Sequence, residues 1–387
     1  MSHTNGRPDR SHDGSDRRTF IKAAGALGAV SAMGGLAGCF GDEDANGDAE
    51  EVDDPDDLPE EEIVWHHLGA PDVTLHNHRQ AVTFQQLMEE WSDGRFQVDI
   101  APAGELAGDV ESIEQAQEGA IEVAAGIAEG HIAPFWPDIN VIGMPFAYPD
   151  VTVANFVWDH TEFGRSMRET MAADMDVTPI SWYDNGGMRC YTSSQPLESP
   201  EDFEGQSFRN MDIEAHLEIT RSLGASAEPI DWTELYEALD TGVVDGQENA
   251  VPTIPLENLQ EVQEYLYLTL HVYSINFALA SNHWWEDLHP TYQHLVRTAG
   301  AYAGNHARKV NRLQRVQLLT VFEEDYDMTI TSPTPEEHEQ MQEMTQEPVG
   351  EIIEEEVSDA GLIDDQEEAI ETAMEELGYD PEIAPET

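Results

Sequence analysis

From Ile63 onward, apolar residues recur with periods that switch between two and 3.6, the pattern of strands alternating with amphipathic helices. Ile63 to Leu68 predicts a strand. Phe84, Leu87, Met88 and Trp91 share one helical face before Gly94 stops the run, and Phe96, Val98 and Ile100 alternate as the next strand. A helix carrying Val110, Ile113 and Ala116 ends at Gly119, and Ile121 to Ala125 predicts a buried strand. Thr178 to Tyr183 and Arg189 to Thr192 predict two strands separated by Asp184-Asn185-Gly186-Gly187, a flexible turn and candidate hinge. Ser199-Pro200-Glu201-Asp202 starts a short helix and Ser207 to Met211 predicts a strand. Asp231-Trp232-Thr233-Glu234 has the spacing of a capping box opening a helix through Leu235, Ala238 and Leu239. A strand-like run, Tyr265 to Ala280, precedes a long helix from about Pro290 to Phe322. Met341, Met344, Ile352, Ile353, Ile370 and Leu377 give the acidic C-terminal segment helical apolar faces, so it is expected to pack. The fold class is α/β with mixed or parallel sheets.

Charge narrows the function. Seventy-nine acids against 17 bases leave −62 over 387 residues, so there is no cationic surface to release counterions from phosphates, and nucleic acid is excluded as a partner. The lysines are Lys22 and Lys309 alone. An acid-saturated, lysine-poor chain suits molar salt, where the Debye length falls to about 3 Å and self-repulsion is screened. The sequence is therefore read as halophilic. Five bases of the predicted long helix, Arg297, Arg308, Lys309, Arg312 and Arg315, are read as solvated ion pairs.

The N-terminus has its own logic. Arg17-Arg18-Thr19-Phe20-Ile21-Lys22 precedes the uncharged stretch Ala23 to Gly38, which reads as a twin-arginine export signal. It ends in Leu36-Ala37-Gly38-Cys39, similar to a lipobox, with Cys39 as the lipidated first residue of the mature chain. Removing residues 1–39 leaves 12 bases, 76 acids and a net charge of −64. Residues 40–62 hold 13 acids and no base and read as an extended tether. An EF-hand-like spacing within it ends on Asp53, where the bidentate Glu belongs, and no calcium site is expected. Cys190 is left as a core thiol.

Phosphate-loop, dinucleotide, nucleophile-elbow and His-Glu-x-x-His signatures are absent. His66, His67, His76 and His78 cluster near the first strand, but no thiolate or helical spacing supports a zinc site, and no metal ligands are assigned. Arg189 and Arg209 both fall in predicted strands, where a cation is poorly placed unless its fork meets an anion. That anion is either an internal carboxylate or a ligand.

Several segments resemble the solute-binding receptors of TRAP (tripartite ATP-independent periplasmic) transporters, the DctP-like family. They are Ala238-Leu239-Asp240-Thr241-Gly242-Val243-Val244-Asp245-Gly246-Gln247-Glu248-Asn249, Trp182-Tyr183-Asp184-Asn185-Gly186-Gly187-Met188-Arg189, Pro200-Glu201-Asp202-Phe203-Glu204-Gly205, Pro102-Ala103-Gly104-Glu105-Leu106-Ala107-Gly108-Asp109 and Met144-Pro145-Phe146, in family order over residues 63–335. The resemblance implies a two-lobed, periplasmic-binding-protein-like α/β fold with mixed sheets, hinge strands and a long helix spanning both lobes. Its units are a signal with lipobox (1–39), an acidic linker (40–62), lobe 1 (63–186), lobe 2 (187–274), a return to lobe 1 with the long helix (275–314), and a return to lobe 2 with C-terminal helices (315–387).

The resemblance also implies site residues. Arg209 matches the position that salt-bridges the ligand carboxylate, Arg189 a second arginine near the cleft, and Asn249 an amide orienting the same group. Trp232, His66, His67 and Asp72 match regions shaping the rest of the pocket. Asn210-Met211-Asp212-Ile213-Glu214 replaces a Pro-containing turn common in the family, and Cys190 a residue that is often polar. The implied protein is a non-enzymatic, cofactor-free, extracytoplasmic receptor, lipid-anchored at the outer face of the membrane. It captures a small organic acid and delivers it to the TRAP membrane subunits. The alternatives are a receptor for a non-carboxylate solute and an exported metal-dependent hydrolase.

Overall fold

The computed structural model describes residues 58–379, so the expected export signal, the expected lipidation site Cys39 and most of the expected acidic tether lie outside the described residues. The elements run β1 (Glu61–His67), α1 (His76–Trp91), β2 (Phe96–Ala101), α2 (Asp109–Gln117), β3 (Val123–Ala128), α3 (Glu129–Ile132), α4 (Val151–His160), α5 (Glu162–Met175), β4 (Val177–Ser193), β5 (Ser207–Asn210), α6 (Glu214–Ser222), β6 (Ser226–Pro229), α7 (Leu235–Asp240), β7 (Gly246–Ala250), β8 (Tyr265–Tyr267), β9 (Tyr273–Ser281), α8 (Asn282–Trp285), α9 (Pro290–Tyr326), β10 (Thr329–Thr331), α10 (Pro335–Glu356) and α11 (Gly361–Leu377). The alternating periods thus produce the expected mixed α/β architecture.

One strand organises the sheet. The order is β2-β1-β3-β9-β4-β7-β5-β6, with β8 pairing with β4 and β10. β1 lies parallel to β2 and β3, while β9 runs antiparallel to β3 and β4. β4 pairs with β9 from Val177 to Met188, and its last five residues pair with β7 from Arg189 to Ser193. The far half adds parallel β5 against β7 and β6. β4 therefore passes from one half of the sheet into the other.

This corrects the two-strand reading of residues 178–192. Asp184-Asn185-Gly186-Gly187 is a bulge inside one continuous strand, where the register against β9 shifts between Asp184 and Gly187. Gly186 and Gly187 have φ of 80° and 105°, and absorb the kink in a region of φ/ψ space that other residues resist. Antiparallel pairing on both sides of the bulge overrides its local turn signal. The capping box at Asp231 also does not form: Asp231 has no side-chain cap bond, and Trp232–Glu234 is a 3₁₀ turn ahead of α7. The run from Tyr265 to Ala280 is divided between β8 and β9, with Leu270 at φ 50° in the connection. Val110 faces solvent although it was assigned to the apolar face of α2. Leu58 is buried and β1 begins at Glu61, so the tether ends before residue 62.

Two packing arrangements hold the halves. Ile63, Trp65, Phe84, Met88 and Phe96 of the first half pack against Tyr292, Leu295 and Ala299 of α9. Farther along, Phe322 of α9 joins Cys190, Leu235, Leu239, Val251 and Leu266 of the second half. α9 has 37 residues, roughly 55 Å at 1.5 Å per residue, and so contributes to both cores. Met341, Val349 and Ile353 of α10 and Ile370 of α11 are buried with Trp158 and Phe208, whereas Met344 and Leu377 are exposed.

Candidate functional site

A cleft enclosing about 400 Å³ of empty space, part of it open to solvent, lies where the two sheet halves meet. The first half contributes Leu68 after β1, Asn77 of α1, Gly126 and Ala128 of β3, His131 of α3, and Asn185 and Asn276 from the paired strands β4 and β9. The second half contributes Arg209 of β5, Met211, Trp232, Asn249 of β7, Thr253 and Leu256. Leu68, Ala128, Met211 and Asn249 stand at or just beyond the carboxyl ends of parallel strands, where open α/β sheets leave room for ligands. Gly126 has φ of 72°, and a Cβ there would lie 2.8 Å from Asn77 Nδ2, so the absence of a side chain lets the asparagine pack against β3.

Arg209 is the cationic centre of the cleft. It is 2% exposed, donates from Nε to Ile230 O at 2.7 Å, and carries its guanidinium carbon 5.9 Å from the centre of the Trp232 ring. Among the described residues, no carboxylate oxygen lies within 4.0 Å of its nitrogens. Burial, the largest influence, pushes its pKa down to about 10; Glu248 pulls it up, Arg189 pushes it down, and Asp109 and Asp231 pull it up. A guanidinium desolvated without a direct counter-ion is costly and will be relieved by an incoming anion.

Arg189 has the opposite environment. Its Nε and Nη2 clasp the Glu248 carboxylate, with Nη2 to Oε1 at 2.9 Å, and Nη2 also donates to Glu248 O at 2.7 Å. Nη1 donates to Ser274 Oγ at 3.2 Å and lies 3.8 Å from Glu129 Oε1. Burial alone would raise the pKa of Glu248, but the Arg189 charge and hydrogen bonds from His216 and His271 hold it well below the usual carboxylate range. Arg189 is fully buried in this ion pair and is not among the residues lining the cleft, near which the resemblance places it.

Three further expected residues also lie elsewhere. His66 places its ring nitrogens 3.1 Å from the carbonyls of Ala101 and Ala107, which fixes the chain after β2. His67 Nε2 meets His78 Nδ1 at 3.0 Å, and burial, followed by the neighbouring histidines, lowers its pKa to about 3. Asp72 is exposed and accepts from Thr74 N and Oγ1 at 2.8 Å, closing its own turn. These side chains are committed to other hydrogen bonds and do not line the cleft. Arg209, Trp232 and Asn249 do line it.

The sequence reading missed Asn77, His131, Asn276 and Thr253 as wall residues, and used Asn185 only as part of a motif. His131 Nδ1 accepts from Ala128 N at 3.1 Å, so its proton is on Nε2, 3.4 Å from Asp109 Oδ2. Asp109 also accepts from Trp232 N across the cleft at 3.4 Å. Burial would raise the Asp109 pKa, but the neighbouring His131 with its hydrogen bond, the Trp232 amide and the Arg209 charge bring it down. Among the described residues, no group of three or more His, Cys, Asp or Glu side chains is placed to hold a metal.

Sheet halves sharing a through-strand, with a cleft between them and a buried guanidinium in its wall, define a two-lobed solute-binding protein. Residues 70–356 match the DctP family model, described as bacterial extracellular solute-binding protein, family 7, and the chain belongs to that family. It is 28% identical over 248 residues to the sialic acid-binding periplasmic protein SiaP of Vibrio cholerae, covering 64% of this chain and 75% of SiaP. It is also 28% identical over 230 residues to the C4-dicarboxylate-binding periplasmic protein DctP of Rhodobacter capsulatus, covering 58% and 66%. The sugar acid binding protein DctPAm of Advenella mimigardefordensis, in complex with galactonate, superposes with a TM-score of 0.77 at 26% identity, over 82% of this chain and 100% of that one. A TRAP periplasmic solute binding protein of Desulfovibrio salexigens with bound orotic acid gives 0.75 at 25% identity, over 81% and 99%.

Proposed function

We propose that this protein is the extracytoplasmic receptor of a TRAP transporter, capturing a small organic acid between lobes and presenting it to the membrane permease. The observation that carries the carboxylate is Arg209: a buried guanidinium in the cleft wall with no carboxylate partner among the described residues. Galactonate and orotic acid, bound by the two structural relatives, both carry a carboxylate, in keeping with this reading. Trp232 walls the guanidinium, and Asn249 of β7 lines the same cleft. The lobes are residues 63–186 with 275–314, and residues 187–274 with 315–387. Ligand contacts to both favour the closed state. Export follows the twin-arginine signal, lipidation at Cys39 anchors the mature chain, and the acidic surface adapts it to high salt. The receptor is not an enzyme.

The test is isothermal titration of the Arg209→Ala variant in molar salt with the carboxylate that shifts the wild-type melting temperature most. Loss of binding by about 100-fold or more is expected, since a desolvated charge-assisted pair is worth roughly 3 kcal/mol or more. Unchanged affinity refutes the role. A best ligand without a carboxylate, from a panel including sugars and amino alcohols, establishes the non-carboxylate reading instead.

A further inference from the structure

Beyond the anchoring arginine, the cleft wall is neutral and its hydrogen-bond polarity is fixed from behind. Glu129 accepts on both carboxylate oxygens: its Oε1 takes the Ser274 hydroxyl proton at 2.7 Å and its Oε2 the Ile275 amide at 3.1 Å. Ser274 Oγ must then accept from Asn185 Nδ2, at 3.2 Å. That turns Asn185 Oδ1 toward Asn276, whose Nδ2 donates to it at 2.9 Å. The same Nδ2 lies 3.3 Å from Asn77 Oδ1, an oxygen already accepting from Tyr183 OH at 2.7 Å. The Asn276 amide cannot be reversed without setting oxygen against oxygen, so its Oδ1 is the atom left over. It is buried and has no hydrogen-bond partner, in a side chain that lines the cleft.

An orphaned acceptor in the same cleft as a cationic anchor specifies the ligand. It demands a donor, and a hydroxyl supplies one while still accepting from a neighbouring group. A second carboxylate supplies none. That carboxylate would also lack a counter-charge: Arg189 is saturated by Glu248 and Ser274, and the His131 Nε2 proton is turned to Asp109. No further Lys, Arg or His lines the cleft among the described residues. Burying an anion without a counter-charge is strongly disfavoured.

We propose that the ligand is a polyhydroxy monocarboxylic acid, of the aldonate or uronate class, with its carboxylate on Arg209 and a hydroxyl donating to Asn276 Oδ1. This inference rests on the receptor reading above and narrows its substrate class.

The experiment is isothermal titration of the full-length chain with D-galactonate, D-glucuronate, succinate, fumarate and D-galactose. At least one sugar acid is expected to bind about 100-fold or more tightly than either dicarboxylate and than the uncharged sugar, because a site built for a hydroxyl strongly rejects analogues lacking it. In Asn276→Leu, similar in shape but without the acceptor, the ratio of galactonate to succinate affinity should fall at least tenfold while the melting temperature stays within a few degrees. A dicarboxylate within tenfold of the best sugar acid overturns the inference, as does failure of both sugar acids to bind or an unaltered ratio in the variant. If Asn276→Leu does not fold, the wild-type panel decides alone. Tight dicarboxylate binding abolished by Arg209→Ala would sink this inference and leave the receptor reading standing. Galactose bound as tightly as galactonate, with Arg209→Ala silent, would sink both.

Discussion

Arg189 and Arg209 begin in adjacent structural contexts, one on β4 and one on β5, with β7 between them. Their surroundings separate them. Arg189 is held by Glu248 and Ser274, so removing it strands a buried carboxylate; Arg189→Ala is expected to cost roughly 3–5 kcal/mol, read as a fall in the midpoint of chemical denaturation. The histidines give this scale a pH dependence. His76 is fully buried, neither ring nitrogen has a hydrogen-bond partner within normal distance, and burial lowers its pKa to about 4. The unfolded chain takes up a proton near pH 6.5 and the folded one does so only near 4, so the stability from keeping this ring neutral is present above 6.5 and lost as pH falls from 6.5 to 4. His76→Gln should remove roughly 2–3 kcal/mol of that acid sensitivity, measured as a smaller drop in stability between pH 7 and 4.5. Among the site residues, Arg209 was legible through its match to the position that salt-bridges the ligand carboxylate in the resembling family, since the strand setting alone applied equally to Arg189. Asn77 and Asn276 were not: an amide has no sequence signature until its neighbours fix which end is free.

Element-scale behaviour centres on α9 and β4. Gly300 and Gly304 bring the helix onto the strand's own backbone, since a Cβ would lie 2.0 Å from Ile180 O at the first and 2.6 Å from Trp182 O at the second. Ser181 Oγ donates to Gly300 O at 2.6 Å, and Asn311 Nδ2 donates to Asp184 O at 2.7 Å, beside the bulge. Gly300→Ala must push α9 off the strand and is expected to lower stability by roughly 3 kcal/mol, visible in thermal unfolding followed by circular dichroism. The long helix was legible because nothing in it breaks the pattern after its first residue. The continuity of β4 was not, since Asp-Asn-Gly-Gly carries a local turn signal and only pairing with β9 and β7 carries the strand through. Basic residues of α9 differ in role as well: Arg308 pairs with Asp159 at a site shielded from solvent, with Nη2 to Oδ1 at 3.0 Å, and Arg297 sits 4.9 Å over the Trp285 ring.

The whole molecule carries a net charge of −62, and its self-repulsion opposes folding. Raising salt from about 0.1 M to about 1 M shortens the Debye length from roughly 10 Å to 3 Å. The melting temperature is therefore expected to rise through that range; a fall or a flat response would remove the reading of the acidic surface as a high-salt adaptation. The Arg189–Glu248 pair, shut away from solvent, should be little affected by the same change.

Periodicity and charge in the sequence determined the α/β class, the long helix, the acidic surface and an arginine in need of an anion, because each follows from local composition and spacing. Tertiary structure decided which of two arginines is free, that β4 continues through its glycines, and that one amide oxygen in the cleft lacks a partner. Those outcomes depend on partners far apart along the chain, such as Glu248, 59 residues from Arg189, and Asn77, 199 residues from Asn276, and no local pattern encodes which residues folding will bring together.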